Sequence, residues 1–276
     1  MIHLGLIGYP LEHSLSPKIH TAALRECGLD GDYLLFPIHP DDEDGLKDLL
    51  ARLRSGEIKG LNVTIPHKQN VIQFLDELTP TAKAIGAVNT IYYRDNKLIG
   101  DNTDAPGFLA DLKRLIGNRK LETGKSAMVL GAGGSARAVI YALLQDGWNV
   151  TVSARRIDQA QQLADSFAPR ELLITNYETL SPKPLVFNLV VNATPVGMTP
   201  NMNQSPWPDG LQFPNRAVVY DLVYNPRETK LVKDAYAAGL SATTGLGMLI
   251  EQAALSFEIW TDRNPPRNIL IESVNH

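Results

Sequence analysis

The stretch that decides the fold is Val129-Leu130-Gly131-Ala132-Gly133-Gly134-Ser135-Ala136. It fits G-x-G-x-x-A, and its surroundings matter as much as its glycines. The apolar run at 127–130 predicts a strand, residues 135–145 predict a helix, and 148–153 predict a second strand. A glycine turn between strand and helix is the context in which this fingerprint binds a dinucleotide. Glycine permits the tight turn and the close approach of backbone to pyrophosphate. The helix start offers free N–H groups to the anion. The plain alternative is a glycine turn in an unrelated α/β domain, and the flanking βαβ pattern weighs against it.

The end of the second strand bears on which dinucleotide. A site for NAD places an acid about 20 residues on, to hold the ribose 2′-hydroxyl. Here the residues are Val152-Ser153-Ala154-Arg155-Arg156, with no acid at the strand end. Guanidinium groups at Arg155 and Arg156 would clamp a 2′-phosphate, which favours NADP. Asp158, the nearest acid, reads as a first-turn helix residue favoured by the dipole.

Outward from this unit, the pattern remains α/β. Downstream, 172–175, 187–191 and 217–222 predict strands, and 156–165 and 228–238 predict helices. A long helix follows at Gly247–Trp260. Upstream, strands are predicted at Ile2–Ile7, Tyr33–Ile38 and Leu61–Ile65. A hairpin pairs Asn89–Tyr93 with Leu98–Ile99 through Asp95-Asn96. Ser16-Pro17 reads as a capped helix start running to Cys27, with Gly28 as its stop. Apolar residues at 46, 49, 50 and 53 have helical spacing. Further helices are predicted near 68–75, 80–85 and Pro106–Ile116. The segment 101–125 reads as a hinge, polar and loop-like over Gly117–Lys125, and Asn201–Pro208 reads as a loop.

Composition narrows the function classes. The 276 residues carry 26 Lys and Arg against 30 Asp and Glu, a net charge of −4, so the basic footprint of a nucleic-acid binder is missing. One cysteine, Cys27, excludes an intrachain disulfide framework and a cysteine-rich zinc site. The histidines, His13, His20 and His67 among them, form no H-x-x-x-H pair, and the acidic run Asp41–Asp44 reads as a solvated helix start. We expect no metal. The N-terminus lacks a basic leader and no apolar run approaches 18 residues, so the expectation is a cytoplasmic protein without a membrane segment. A monomer and a homodimer are both compatible with the sequence.

The candidate chemistry lies upstream. Lys68 falls in Asn62-Val63-Thr64-Ile65-Pro66-His67-Lys68, in the opening turn of a predicted helix, where the dipole disfavours a cation. It is either a solvated lysine or a lysine used for proton transfer, which would want a carboxylate to orient it. Asp104 is the candidate partner; its alternative is a helix cap ahead of Pro106. Ser14 and Ser16 flank Leu15, and in an extended segment their hydroxyls share a side. They could hold a carboxylate near the helix start, or Ser16 could simply cap the helix.

Taken together, these motifs resemble the shikimate dehydrogenase family from end to end. The matching blocks are Ser14-Leu15-Ser16-Pro17, Asn62 to Lys68, Gly86-Ala87-Val88-Asn89-Thr90, Gly100-Asp101-Asn102-Thr103-Asp104 and Gly131 to Arg137. Asn192-Ala193-Thr194-Pro195-Val196-Gly197-Met198, Asp221-Leu222-Val223-Tyr224-Asn225-Pro226 and Gly245 to Ala254 complete the series, in the family's order. The resemblance implies an NADP-dependent enzyme that reversibly reduces 3-dehydroshikimate to shikimate in aromatic amino-acid biosynthesis. It implies a two-domain α/β chain. An N-terminal substrate domain with a mixed sheet takes residues 1–103 and 246–276, and a Rossmann-type, doubly wound NADP-binding domain takes 104–245. It implies Lys68 and Asp104 as the catalytic pair. Ser14, Ser16, Asn62, Thr64, Asn89, Tyr224 and Gln252 would contact the substrate. Gly131, Ala132, Gly133, Gly134, Ser135, Ala136, Ala154, Arg155, Arg156, Thr194, Val223, Gly245 and Met248 would contact the cofactor.

The chain departs from the family at one place. Asn-Arg-Thr is common there at the end of the second strand, and Ala154-Arg155-Arg156 stands here. Arg155 is kept, a polar contact is lost at 154, and Arg156 adds charge. An NAD-linked quinate/shikimate dehydrogenase is the neighbouring alternative, but it tends to carry an acid near the ribose and to vary the serine pair. A non-catalytic sensor of shikimate-like acids is the alternative of another class. It predicts loss of the Lys68–Asp104 pair, and both residues are present.

Overall fold

The structure, a computed structural model, describes residues 1–117, 124–168, 170, 172–176 and 186–275. Most of the polar stretch predicted as a loop at Gly117–Lys125 lies outside the described residues. The chain folds into two compact units, Met1–Gly107 with Leu249–His276, and Phe108–Met248. The division falls inside two helices, α5 (Asp104–Ile116) and α9 (Leu246–Thr261), rather than at their first residues.

The first unit is a mixed sheet. Its strands are β1 (Ile2–Gly8), β2 (Gly31–Pro37), β3 (Gly60–Val63), β4 (Glu77–Leu78), β5 (Thr90–Arg94) and β6 (Lys97–Asp101), in the order β2-β1-β3-β5-β6-β4. β1 runs parallel to β2 and β3, whereas β5 is antiparallel to β3 and β6. The β5–β6 turn has Asp95 at φ 52 and Asn96 at φ 61, the two left-handed residues of a tight hairpin. Helix α1 (Ser16–Glu26) packs on β2, and α2 (Glu43–Arg54) turns Leu46, Leu49, Leu50 and Leu53 into the core with Leu61, Val63 and Ile91. Each buried leucine contributes roughly 1.5–3 kcal/mol relative to exposure. A carboxylate on Asp42 accepts from the Gly45 amide and starts α2.

Three sequence expectations need correction here. Ser16 does not cap α1: the N-cap is Leu15, in helical backbone, and Ser16 is the first helical residue with its amide donating to Ser14 Oγ at 3.2 Å. Because Leu15 has φ −85 and ψ −8, the serine segment is not extended. β3 ends at Val63, so Thr64 and Ile65 belong to the loop that leads into α3 (His67–Asn70) and the 3-10 turn 71–74. The two-residue β4, a strand β12 (Ser241–Thr244) and the helix α10 (Arg267–Ser273) were not foreseen. Between β4 and β5, α4 (Pro80–Ile85) is capped by Thr79.

The second unit is a fully parallel six-stranded sheet in the order β12-β11-β10-β7-β8-β9. Its members are β7 (Ser126–Leu130), β8 (Asn149–Ser153), β9 (Leu173–Thr175), β10 (Leu189–Asn192), β11 (Val218–Asp221) and β12. Counted from β7, this is the order 3-2-1-4-5-6 of a doubly wound dinucleotide fold. Helices α6 (Gly134–Gln145), α7 (Ile157–Asp165) and α8 (Lys230–Ala237) connect strands. Met128, Leu130, Val190 and Val219 are buried with Leu231 and Val232 of α8, and Trp207 stacks on Phe213 beside them. Continuous apolar strands are what burial on both faces demands.

Glycine decides two close helix contacts. In the first unit Gly107 of α5 lies against the Gln252 backbone of α9, where a Cβ would meet the amide nitrogen at 2.8 Å. In the second unit Gly247 leaves space for the Asp111 carboxylate, which accepts from Tyr220 Oη at 2.5 Å and pairs with Arg114.

Candidate active site

In the first unit, the ends of β1, β3 and β6 and the start of β5 share one edge of the sheet, because β5 alone runs antiparallel to its neighbours there. That edge carries Ser14 and Ser16 after β1, Thr64 and Lys68 after β3, Asn89 before β5, and Asp104 after β6. Lys68 Nζ donates to Asp104 Oδ2 at 2.6 Å, with side chains only 11% and 7% exposed. The other carboxylate oxygen, Oδ1, accepts from Asn89 Nδ2 at 2.9 Å. Asp104 is therefore held at both oxygens, and its orientation toward Lys68 is set by the fold.

Asn89 is the hub behind the pair. Its Nδ2 also lies 2.9 Å from Thr103 Oγ1 and 3.2 Å from Gln252 Oε1, and its Oδ1 accepts from the Thr103 amide at 2.7 Å. Gln252 in turn donates to the Leu249 carbonyl at 2.9 Å. Asn62 lies deeper. It accepts from Tyr33 Oη at 2.9 Å and donates to the Asn89 carbonyl at 3.1 Å and to Ser256 Oγ at 3.0 Å. Thr90 and Thr103 close this network on Ser256 at 2.7 and 3.0 Å. Buried polar groups are costly unless paired, so such a network specifies one arrangement.

The structure thus brings Lys68, Asp104, Asn89, Gln252 and Asn62 into one connected group. Ser16 is buried, and Ser14 and Thr64 are half-buried at the same sheet edge. Tyr224 belongs to the second unit, where burial pushes its phenol pKa up. Sequence reasoning passed over Tyr33, Thr90, Thr103 and Ser256. Thr90 and Thr103 stood inside the quoted motif blocks, and Ser256 follows Gln252 by four residues, one helical turn on the same face. Tyr33 left no signal. His67, beside the lysine, uses Nε2 to donate to the Ile38 carbonyl at 2.7 Å, a structural role.

In the second unit, the predicted cofactor residues follow the carboxyl ends of the parallel strands. Gly131 has φ +112, and a Cβ there would meet Thr194 Cγ2 at 2.9 Å and the Ala193 carbonyl at 3.1 Å. The loops after β7 and β10 therefore meet at the point where the strand order reverses, the crevice in which doubly wound folds bind ligands. Gly133 is the N-cap of α6 with no side-chain cap, and a Cβ there would stand in open space. Packing does not require glycine at 133, so the space it leaves, at the N-terminal end of α6, suits an anion. Gly134 and Ser135 open the helix, while Ala136 is fully buried at the helix–sheet contact, as the third fingerprint position should be.

Beyond β8, Ala154 is 5% exposed and Arg155 and Arg156 are exposed. Arg156 donates to Gln159 at 2.7 Å. Ala132, Val223 and Met248 are buried, and a Cβ on Gly245 would collide with the Leu222 carbonyl. The residues present fit a dinucleotide with a 2′-phosphate. Among the described residues no group of His, Cys, Asp and Glu could hold a metal ion, and no helix is long and apolar enough to cross a membrane.

A doubly wound unit with an uncapped glycine turn at its switch point, in one chain with an α/β unit bearing a buried lysine–aspartate pair, defines a dinucleotide-dependent oxidoreductase. Comparison with known proteins makes this specific. A family profile described as the shikimate dehydrogenase substrate binding domain matches residues 6–91. One described as shikimate / quinate 5-dehydrogenase matches 115–228, and a shikimate 5'-dehydrogenase C-terminal domain matches 245–274. A shikimate dehydrogenase (NADP(+)) of Salinibacter ruber is 44% identical over 98% of this chain and 95% of its own. A crystal structure of a shikimate dehydrogenase in complex with NADP+ superposes with a TM-score of 0.90 at 37% identity, covering 100% of this chain and 95% of that one. The Thermus thermophilus enzyme in complex with NADP(H) and shikimate gives 0.87 at 38% identity, covering 100% and 99%. The chain belongs to the shikimate dehydrogenase family.

Proposed function

We propose that this protein catalyses the reversible, NADP-dependent reduction of 3-dehydroshikimate to shikimate. The observation that carries the reading is the Lys68 Nζ–Asp104 Oδ2 contact of 2.6 Å, with Asn89 fixing the second carboxylate oxygen. It lies in the unit whose residues match the family's substrate-binding profile. That unit would bind the substrate and the second unit the cofactor.

When bound, the reduced nicotinamide supplies the hydride. The chain's own residues handle the oxygen and its proton. In reduction, the Lys68 ammonium stands by the carbonyl oxygen, stabilises the charge that develops there and holds the proton that completes the hydroxyl. Asp104 orients that ammonium and balances its charge. In the oxidative direction the pair takes the hydroxyl proton. Asn89 and Gln252 keep Asp104 in place, and Asn62 supports Asn89 from behind. Ser14, Ser16 and Thr64 would contact the carboxylate and ring hydroxyls. Arg155 and Arg156, with no acid beside them at the end of β8, would hold the 2′-phosphate.

The test is direct. Purified protein is mixed with shikimate or quinate, each with NADP+ or NAD+, and reduced cofactor is followed by absorbance. Turnover confined to shikimate with NADP+ is the expected result. Comparable rates with quinate or NAD+ would shift the reading to the broader quinate/shikimate dehydrogenase. No turnover with any pair would overturn it.

A further inference from the structure

One buried carboxylate of the second unit takes no part in the reaction above. Asp221, the last residue of β11, is fully buried and gathers donors from three segments. Asn192 Nδ2, at the end of β10, reaches Oδ1 at 2.7 Å, and the Val223 amide reaches the same oxygen at 3.0 Å. Thr229 Oγ1, the N-cap of α8, donates to Oδ2 at 2.6 Å. The far end of Asn192 continues the chain of bonds. Its Oδ1 accepts from the Thr194 amide at 2.9 Å and from Thr194 Oγ1 at 2.7 Å, and Thr194 Oγ1 accepts from the Val196 amide at 3.2 Å. One carboxylate thus ties together the loop carrying Thr194, which touches the glycine turn at Gly131, and the loop carrying Val223.

We propose that Asp221 is a positioning residue for cofactor binding, whose ionised carboxylate holds the Thr194 and Val223 loops in the arrangement that grips NADP. This rests on the cofactor site read above. Among the described residues the groups facing the carboxylate are neutral: Asn192 from β10, the Val223 amide and Thr229 from α8, with Thr244 as its register partner on β12. Of the ionisable residues nearby in the chain, Tyr220 is committed to Asp111, Tyr224 is a phenol raised by its own burial, and Lys230 pairs with Asp234. Arg227 and Glu228 are exposed.

Burial pushes the Asp221 pKa up to about 6, against the pull of its three hydrogen bonds. Ionised, the group is an acceptor only, which suits three donors. A proton on Oδ2 would oppose the Thr229 hydroxyl, which already accepts from the Val232 amide at 3.3 Å. The bonds to Oδ1 would lose their charge assistance. Grip on the cofactor should therefore slacken as pH falls through about 6.

Binding of NADP+ is measured by titration calorimetry from pH 5 to 8 on wild type, Asp221→Asn and Thr229→Val. The 2′-phosphate of the probe titrates in the same range, so the readout is the difference between curves. Between pH 7.5 and 5 the wild type is expected to lose about fivefold more affinity than Asp221→Asn, the scale of one lost charge-assisted bond. Thr229→Val removes a donor that holds the pKa down, so its midpoint should move to higher pH. Parallel curves for wild type and Asp221→Asn, or an unmoved midpoint in Thr229→Val, would overturn the proposal. If Asp221→Asn does not fold, the Thr229→Val midpoint decides. Absence of NADP+ binding by the wild type at every pH would instead overturn the functional reading on which the proposal rests.

Discussion

His20 makes the acid sensitivity of this fold calculable. It lies in α1 with no exposure, its ring parallel to Tyr33 at 4.3 Å between centroids and 1° between planes. Neither ring nitrogen has a hydrogen bond of good geometry among the described residues, and the Asn62 side chain lies close enough to interact weakly. Burial pushes its pKa from 6.5 down to about 3, with the nearby Asn62 side chain working the other way. In the unfolded chain the imidazole takes up a proton near pH 6.5. Below that value the unfolded state binds a proton that the folded state refuses, so stability falls with pH, from about 6.5 down to about 3. Between pH 7 and 5 this single group should cost about 2 kcal/mol. Because pH 5 lies well above the folded-state value, the loss is set by the unfolded imidazole. His20→Phe keeps the stacked ring and removes the titration. Urea unfolding of both proteins, followed by circular dichroism at pH 7 and 5, gives a difference of differences in which any packing offset from the larger ring cancels. The variant is expected to lose about 2 kcal/mol less than wild type over that interval. Parallel losses would mean that His20 is protonated or solvated in the folded protein, and the reasoning from burial would fail.

Three further outcomes are expected. Lys68→Ala should lower kcat by roughly 10²–10⁴ with a modest change in the KM for shikimate; loss of shikimate binding with turnover preserved would make Lys68 a binding residue instead. Arg155→Ala should weaken NADP+ binding roughly 10- to 100-fold and leave NAD+ binding unchanged, as calorimetry with both dinucleotides would reveal. Gly247→Ala should destabilise the protein by about 1–3 kcal/mol in urea melts, since the new Cβ would press on the Asp111 carboxylate that Tyr220 and Arg114 hold. Adding Asp111→Ala should then cost less than the sum of the two single changes, and strict additivity would refute the contact.

Much of the architecture could be read locally because its causes are local. The period-3.6 leucines of α2, the Asp95-Asn96 hairpin turn and the glycine fingerprint each state their structure within a dozen residues. The elements that escaped are those whose local signal is weak. β4 has two residues, and β12 reads Ser241-Ala242-Thr243-Thr244, with little apolar content to mark a strand. The expected Ser16 cap failed because Leu15 takes helical backbone and Ser14 supplies the acceptor, a choice that propensity does not make.

By itself, the sequence determined the α/β class, the dinucleotide turn with basic rather than acidic residues after β8, and the residue types of the candidate site, because each is written in contiguous motifs. Only the tertiary structure decided how those motifs act on one another. Asn62 meets Ser256 across 194 positions and Asn89 meets Gln252 across 163, so the network that locks Asp104 exists only once α9 returns to the first sheet. The tether from Asp221 through Asn192 to Thr194 likewise requires β10 and β11 to lie side by side. Hydrogen bonds act over about 3 Å, and no local pattern can state which distant groups the folded chain will bring within that reach.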